Sequence, residues 1–298
     1  MSKDSSHPLF GIGLMLAAMA VLPFLDVCAK MLGQQGIPVM EVVWARMSFG
    51  ALITLPFAVR IAGLRGLFPD RPIYHTFRAL FLMGATGFFF WGLHYLPLAD
   101  TLSIFFVEPL VITLLSPLVL GESVGLRRWA AVVVGLVGTL IIIRPGFQAF
   151  NPGVLMALAS GISIAIYMLM TRRIAGLQHA MVTTFHTSLI GAIVASLVVV
   201  WQWVPPATAH WGLMALLAAI AVAGHYLIVR AYDYSEASLL APLAYTEIIM
   251  ATLAGWWFFG DFPDCWTFLG VAILVACAIY ISLSEHSRAE DEREFEQP

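Results

Sequence analysis

The sequence predicts an all-α membrane protein with ten transmembrane helices, built as two inverted five-helix repeats around a central cavity. Three observations predict this fold class: the composition, the long stretches without a charged residue, and an internal repeat. Of the 298 residues, 60% are hydrophobic and 11% are charged, and the mean hydropathy is +0.89. A soluble domain carries about 45–50% apolar and about 25% charged residues. The composition therefore excludes an ordinary soluble enzyme and a disordered chain.

Net charge and cysteine content narrow the class further. The formal net charge is −3 and the pI is near 6.2, which is not the basic character that a nucleic-acid partner requires. The three cysteines are too few for a disulfide framework. The sequence holds no H-x-x-x-H pattern and no Cys/His cluster, so it predicts neither a metal site nor a cofactor.

The uncharged stretches are long enough to cross a bilayer as helices. No Asp, Glu, Lys or Arg occurs over residues 145–171, 174–229 or 265–284. A transmembrane helix needs about 20 mostly apolar residues, and its backbone must satisfy its own hydrogen bonds in lipid. Runs such as Trp129–Ile143 are apolar on every face, which favours helices over the alternating strands of a barrel.

Glycines, prolines and charged residues divide each half of the chain into five spans. In the first half the predicted spans are Leu9–Leu32, Val39–Arg60, Ile73–Tyr95, Ala99–Leu120 and Leu126–Ile143. In the second half they are Pro152–Ile174, Ala180–Trp201, His210–Ala231, Glu236–Phe259 and Cys265–Ser284. The loops between them are short, so consecutive helices should be antiparallel.

Lysine and arginine are distributed unevenly between the two ends of these spans. With the N-terminus in the cytoplasm, only Lys30, Arg46 and Arg144 fall toward the outside. Cytoplasmic loops are enriched in Lys and Arg, so both termini are predicted to be cytoplasmic. The basic residues at cytoplasmic ends are Lys3, Arg60, Arg65, Arg71, Arg78, Arg127, Arg128, Arg172, Arg173, Arg230, Arg288 and Arg293.

The second half of the chain repeats the first. Residues 95–122 read YLPLADTLSIFFVEPLVITLLSPLVLGE, and residues 234–261 read YSEASLLAPLAYTEIIMATLAGWWFFGD. At one offset, Tyr95 matches Tyr234, and Glu108 matches Glu247. We therefore expect a first repeat over residues 1–148, a second over 149–284, and an acidic cytoplasmic tail over 285–298.

Five spans per repeat is an odd number, so the second repeat enters the membrane inverted. Inverted repeats are a recurrent design of secondary transporters. If two similar halves exchange conformations, one state opens inward and the other opens outward around a site near the midplane. The repeat therefore predicts alternating access within one chain, for which a monomer suffices.

The duplicated unit, with an acid in its fourth helix and a Leu-Gly-Glu turn after it, resembles the EamA-type carriers of the drug/metabolite transporter superfamily. Within that superfamily the aromatic-rich middle is most similar to bacterial aromatic amino-acid exporters. The resemblance implies a multi-pass carrier of the bacterial inner membrane that exports small metabolites. One departure is that Pro109 follows Glu108 whereas Ile248 follows Glu247, so the halves are not chemically equal.

Three acids lie well inside predicted spans: Asp26, Glu108 and Glu247. A charge at the bilayer centre is costly, which makes each a functional candidate. Asp26 could meet a substrate ammonium or take a proton. Glu108 and Glu247 could do the same, or could instead pin neighbouring helices together. Glu41, Arg46 and Asp100 are expected near helix ends, so no arginine is expected at the midplane.

Histidines and aromatic residues complete the predicted cavity. Flat apolar walls with a few polar tips suit a bulky, partly aromatic solute, although the same side chains could simply pack against lipid or a neighbouring helix. These candidates are Phe88, Trp91, His94, Tyr95, Phe105, Tyr167, His186, His225 and Tyr245.

Prolines inside spans mark the predicted hinges, because each removes a backbone hydrogen bond and weakens its helix locally. Pro23, Pro109 and Pro242 are the hinge candidates.

The favoured function is export of small organic metabolites, with amino acids, aromatic ones in particular, as the expected substrates. Export of other metabolites or of drugs is the first alternative. A channel is a minor alternative, although no ring of charges or carbonyl filter is visible in the sequence. An intramembrane serine hydrolase is another, because Gly161-Ile162-Ser163 is a G-x-S fragment followed by His186 and His225.

Overall fold

In the computed structural model, the described residues are 8–120, 126–143, 151–174, 177–234, 243, 246–273, 275–277 and 279–280. All regular secondary structure within these residues is helical, as predicted. The predicted tail over 285–298, together with Tyr245 and Pro242, lies outside the described residues.

Ten α-helices and one short 3₁₀ turn, Arg65–Leu67, are described in chain order. Most of their bounds follow the predicted spans closely, and α6 has the predicted bounds. The described part of the ninth span begins its helix at Glu247 rather than at Glu236, and residues 235–242 lie outside the described residues. The helices are α1 (Pro8–Gln34), α2 (Val39–Ala62), α3 (Pro72–Gly92), α4 (Leu98–Phe105), α5 (Glu108–Leu120), α6 (Leu126–Ile143), α7 (Pro152–Arg173), α8 (Ala180–Val199), α9 (Thr208–Tyr234) and α10 (Glu247–Phe259). A last helical segment follows at residues 265–273 and 275–277.

Six helical stretches in the described part of the chain are long and apolar enough to cross a membrane. They are Phe10–Gln34, Val39–Ala62, Leu98–Leu115, Pro152–Arg173, Ala180–Val199 and Thr208–Ala231. Shorter apolar helices follow at Glu247–Phe259 and Cys265–Cys277.

The fourth predicted span is broken into α4 and α5 just before Pro109. The Pro109 nitrogen has no hydrogen, so it cannot bond the carbonyl oxygen of Phe105 four residues earlier. That carbonyl instead faces α7, where a Cβ added to Gly161 would lie 2.5 Å from it. Glycine at position 161 therefore allows α7 to approach the break closely.

The packing between the two halves is reciprocal. α1 packs on α9 and α3 packs on α7, while α2 and α8 pack on each other. Taking α1–α3 as counterparts of α7–α9, exchange of the halves converts the α1–α9 contact into the α7–α3 contact. The same exchange relates α2–α9 to α3–α8, and α5–α7 to α1–α10, all of which are in contact. The helices of the two halves therefore interleave, and their shared interior forms the core of the protein.

Candidate functional site

Arg46 lies in the interior, not near a helix end as the sequence led us to expect. It is the eighth residue of α2, about 10 Å along the helix from its start. The residue is only 8% exposed. Its Nη1 donates to the Thr86 hydroxyl of α3, and its Nη2 lies 2.7 Å from Nε2 of His225 on α9. The interior therefore holds a buried guanidinium that the sequence did not lead us to expect.

The two partners of Arg46 are equivalent positions of the repeat. Thr86 and His225 are 139 positions apart, as are Tyr95 and Tyr234, and Glu108 and Glu247. The Thr86 hydroxyl donates to the Leu82 carbonyl oxygen at 2.9 Å, which leaves its lone pairs for Arg46. The guanidinium therefore bridges corresponding points of the two halves.

A cavity opens beside this guanidinium, enclosed by α2, α3, α7, α8 and α9. Its volume, counted as the space open to the centre of a water molecule, is about 20 Å³, so the site is narrow in this conformation. Its wall combines one cation with hydroxyl groups and apolar side chains, a mixture suited to a small organic solute with a charged group. The lining residues are Arg46, Met47, Leu82, Tyr167, Thr184, Thr187, Ser188, Ala221, Val222 and His225.

Tyr167 connects the cavity to a second buried arginine, Arg78. The ring of Tyr167 lies 6.4 Å from the ring of His225 and 5.5 Å from Cζ of Arg78, measured to ring centroids. Arg78 is 0% exposed, although the sequence placed it at a cytoplasmic helix end. The protein therefore buries two guanidinium groups near one aromatic ring.

The three predicted acids interact with one another through space. Asp26 is buried and lies within electrostatic range of Arg46. Glu247 is within range of both Asp26 and Glu108. Glu108 and Glu247 are each the first residue of a 13-residue helix, α5 and α10. The positive end of a helix dipole favours a carboxylate at such a position.

The remaining predicted residues are placed as follows. Tyr167 and His225 line the cavity. Trp91, His94 and Tyr95 are exposed, and Phe88 is partly buried outside the cavity lining. Phe105 packs edge-on against Phe89, with ring centroids 5.3 Å apart. His186 is buried near the loop that precedes α3, with Nε2 3.1 Å from the Gly66 carbonyl oxygen. Of the hinge candidates, Pro23 lies inside α1 and Pro109 is the second residue of α5.

The G-x-S fragment does not form a catalytic dyad in the described structure. Ser163 lies in the middle of α7, where its Oγ donates to the Ala159 carbonyl oxygen at 2.7 Å. His225 is instead bonded to Arg46, and His186 to Gly66. A nucleophilic serine needs a base within hydrogen-bond reach, which neither histidine supplies here.

Sequence reasoning missed Arg46, Arg78 and the hydroxyl groups of α8 that line the cavity. The repeat offset pairs Thr86 with His225, although it does not identify Arg46 as the residue between them. The hydroxyl-rich run Thr183, Thr184, Thr187 and Ser188 was a usable signal.

A family model matches nearly the whole chain, over residues 9–144 and 151–283, and its description is "EamA-like transporter family". The chain belongs to the EamA-like transporter family. This EamA-like protein is accordingly a multi-pass membrane transporter with the two-repeat helical fold of the family.

Curated relatives of this EamA-like protein span almost its full length. It is 26% identical to the S-adenosylmethionine uptake transporter of Rickettsia prowazekii (strain Madrid E), over 95% of this chain and 96% of the relative. It is 25% identical to the riboflavin transporter of Vibrio cholerae serotype O1, over 96% of this chain and 97% of the relative. It is 26% identical to the pseudopaline exporter CntI of Pseudomonas aeruginosa (strain UCBPP-PA14), over 81% and 85% respectively. These relatives transport small metabolites and are not aromatic amino-acid exporters, which corrects the narrower resemblance.

A crystal structure shares the fold, with a TM-score of 0.67 and 22% identity, and the match covers 94% of this chain and 97% of the other.

Proposed function

We propose that this protein is a secondary transporter that binds a small zwitterionic metabolite of the amino-acid type in the Arg46 cavity. The observation that carries the proposal is the buried guanidinium of Arg46, which faces the cavity while bridging the two halves. A charge buried this deeply in a membrane protein is expensive to keep unless it serves function.

The chemistry of the cavity supports this substrate class. A carboxylate would accept hydrogen bonds from Arg46, which binds planar oxyanions in a fork geometry. An ammonium would be attracted to Asp26, the carboxylate within electrostatic range of Arg46. Met47, Leu82 and Tyr167 offer apolar and aromatic walls to the remainder of the solute. S-adenosylmethionine, named for the Rickettsia relatives, is itself an amino acid that carries an aromatic base. We therefore retain amino acids, aromatic ones included, as the proposed substrates.

Alternating access by two inverted repeats is the proposed mechanism. We divide the chain into repeats at residues 1–148 and 149–284, and five spans in each would invert the second relative to the first. The reciprocal packing of α1 on α9 and of α7 on α3 supports this arrangement, because exchange of the halves preserves the contacts. Pro23, Pro109 and Pro242 are the proposed hinges, and the break between α4 and α5 just before Pro109 supports this for Pro109.

We propose the bacterial inner membrane as the location, with both termini in the cytoplasm. The excess of Lys and Arg at one end of the spans supports this orientation. Export is the proposed direction, with one chain as the transport unit. The pseudopaline relative is named an exporter, while the S-adenosylmethionine relatives are named for uptake. Direction is therefore a measurement to make in oriented vesicles.

The test is transport by the purified full chain in liposomes. Vesicles loaded with unlabelled phenylalanine, methionine or S-adenosylmethionine are diluted into the same labelled solute, with and without a pH gradient. We expect counterflow, which a carrier shows and a channel does not. We expect Arg46→Gln to abolish it, and Asp26→Asn and Glu108→Gln to reduce it.

The matched control is Arg60→Gln, which removes an exposed arginine from the same helix. Counterflow at the parental rate in Arg46→Gln would contradict the proposed site. Uncoupled, concentration-driven flux without counterflow would instead favour a channel.

A further inference from the structure

The second buried arginine, Arg78, is held by uncharged groups in the described part of the chain. Its Nη2 donates to the Thr183 carbonyl oxygen at 2.9 Å and to the Thr187 hydroxyl, and its Nη1 donates to the Thr171 hydroxyl at 3.2 Å. All three acceptors are uncharged. Within the described residues, no carboxylate lies within ion-pair distance of this guanidinium. A buried charge is normally paired, because burying it alone is costly.

Three polar atoms around Arg78 are buried without a hydrogen-bond partner. They are Nε of Arg78, Nδ1 of His75 and Nδ1 of His186. Both histidines are within electrostatic range of Arg78, and their rings meet edge to face with centroids 5.2 Å apart. Most buried polar atoms in folded proteins have a partner, so three vacant ones in a single cluster require a physical explanation.

We propose that Arg78, His75 and His186 form a binding site for an oxyanion, either a carboxylate or a phosphate group. An anionic oxygen would accept a hydrogen bond from Nε of Arg78 and supply the missing negative charge. His75 can present Nδ1–H to the same group in one of its neutral tautomers. His186 donates Nε2–H to Gly66, so its Nδ1 can join only as an acceptor or after taking up a proton. A water molecule would fill the hydrogen bonds but not neutralise the guanidinium.

The position of the cluster suits a second binding site for the transported solute. On one side, the Thr187 hydroxyl that binds Arg78 also lines the Arg46 cavity. On the other side, His186 contacts Gly66 in the 3₁₀ turn, beside the exposed Arg65. The site thus lies between the cavity and one face of the protein. Asp70, an exposed carboxylate, is within electrostatic range of both histidines.

The oxyanion can come from two sources, namely the solute's own carboxylate or free inorganic phosphate. Binding of the solute's carboxylate at this site rests on the proposed function, whereas binding of free phosphate does not. The histidines allow the two buried sites to be observed separately, because His75 and His186 report on Arg78 whereas His225 reports on Arg46.

The experiment is solid-state NMR of the full chain in nanodiscs, labelled with ¹⁵N at histidine and assigned with His→Gln variants. Sodium phosphate and phenylalanine are titrated separately at constant ionic strength. We expect one or both to move the Nδ1 signals of His75 and His186 saturably, without moving the signal of the exposed His94. We expect Arg78→Gln to raise the anion concentration at half-saturation by about tenfold or more, because the variant loses a charge-assisted hydrogen bond. Arg60→Gln should leave the titration unchanged.

Each outcome has a distinct meaning. A response to phosphate alone identifies a free oxyanion as the ligand, and a response to phenylalanine alone identifies the solute's carboxylate. If phenylalanine moves His225 while neither ligand moves His75 or His186, the Arg78 site is refuted and the proposed function stands. If phosphate moves His75 and His186 while phenylalanine moves none of the three, the Arg78 site stands and the proposed substrate class is refuted. The parental titration decides the question even if Arg78→Gln does not fold.

Discussion

The ion pair between Lys30 and Asp261 should be one of the stronger ties between the two halves. Lys30, near the end of α1, lies with Nζ 2.5 Å from Oδ2 of Asp261, in the turn after α10. The same ammonium sits 4.5 Å from the ring centroid of Phe259. The turn is fixed by Gly260, whose positive φ of 72° suits glycine.

The expected strength follows from distance and burial. Two unit charges 2.5 Å apart attract by about 7 kcal/mol at an effective dielectric constant of 20. Desolvation offsets much of this attraction, since the Lys30 side chain is 10% exposed and that of Asp261 is 31% exposed. Fully exposed pairs contribute about 0.2–1 kcal/mol, and breaking a buried pair costs about 3–5 kcal/mol. We therefore expect a coupling energy of about 1–3 kcal/mol for this partly buried pair.

A double-mutant cycle measures that coupling. Lys30→Met, Asp261→Asn and the double variant are unfolded by SDS titration in detergent micelles, with tryptophan fluorescence as the signal. The stability losses of the two single variants should add up to more than the loss of the double variant, because each single variant leaves one charge without its partner. Arg60→Met is the control and should change little. If the two single effects simply add up to the double effect, the two side chains do not interact and the reasoning is refuted.

Three further predictions concern the broken fourth span and the G-x-S fragment. Gly161→Ala should lower the free energy of unfolding by about 1–3 kcal/mol, because its Cβ would lie 2.5 Å from the Phe105 carbonyl oxygen. Gly212→Ala, which meets nothing within 4 Å, should leave stability unchanged or raise it in the same SDS titration. Pro109→Ala should slow counterflow more than it lowers expression, because it restores the missing backbone donor; unchanged flux would argue against the hinge. Ser163→Ala should transport at the parental rate, and covalent labelling of the parent by a fluorophosphonate at Ser163 would contradict this reading.

The positions of the helices could be predicted from the sequence because lipid imposes a simple rule. A bilayer requires long apolar stretches, and α6 and α8 begin at the residues where the predicted spans begin. The break between α4 and α5 was harder to foresee. Pro109 predicts a weakened helix, but the chain separates there because α7 carries Gly161 opposite the break and can receive its carbonyl. That partner lies 52 positions away and is not visible in local sequence.

The candidate site was predictable only in part. Tyr167 and His225 were chosen as aromatic and titratable residues inside spans, and both line the cavity. The position of Arg46 toward one end of α2 predicts a side chain near the helix end, yet Thr86 and His225 hold its guanidinium in the interior. Burial of a long side chain depends on which helices meet around it, and hydropathy along one helix does not contain that information.

The most direct test of the account is whether one residue of the Arg46 cavity can be reached from both sides of the membrane. Ser188→Cys places a thiol on the cavity wall, in a chain whose other cysteines are Ser except the exposed Cys265. In oriented vesicles, an impermeant maleimide should label Cys265 from one side only. Alternating access around the cavity predicts that the introduced thiol at position 188 is labelled from either side and is protected by the transported solute. Labelling of that thiol from a single side under all conditions would contradict alternating access around this cavity.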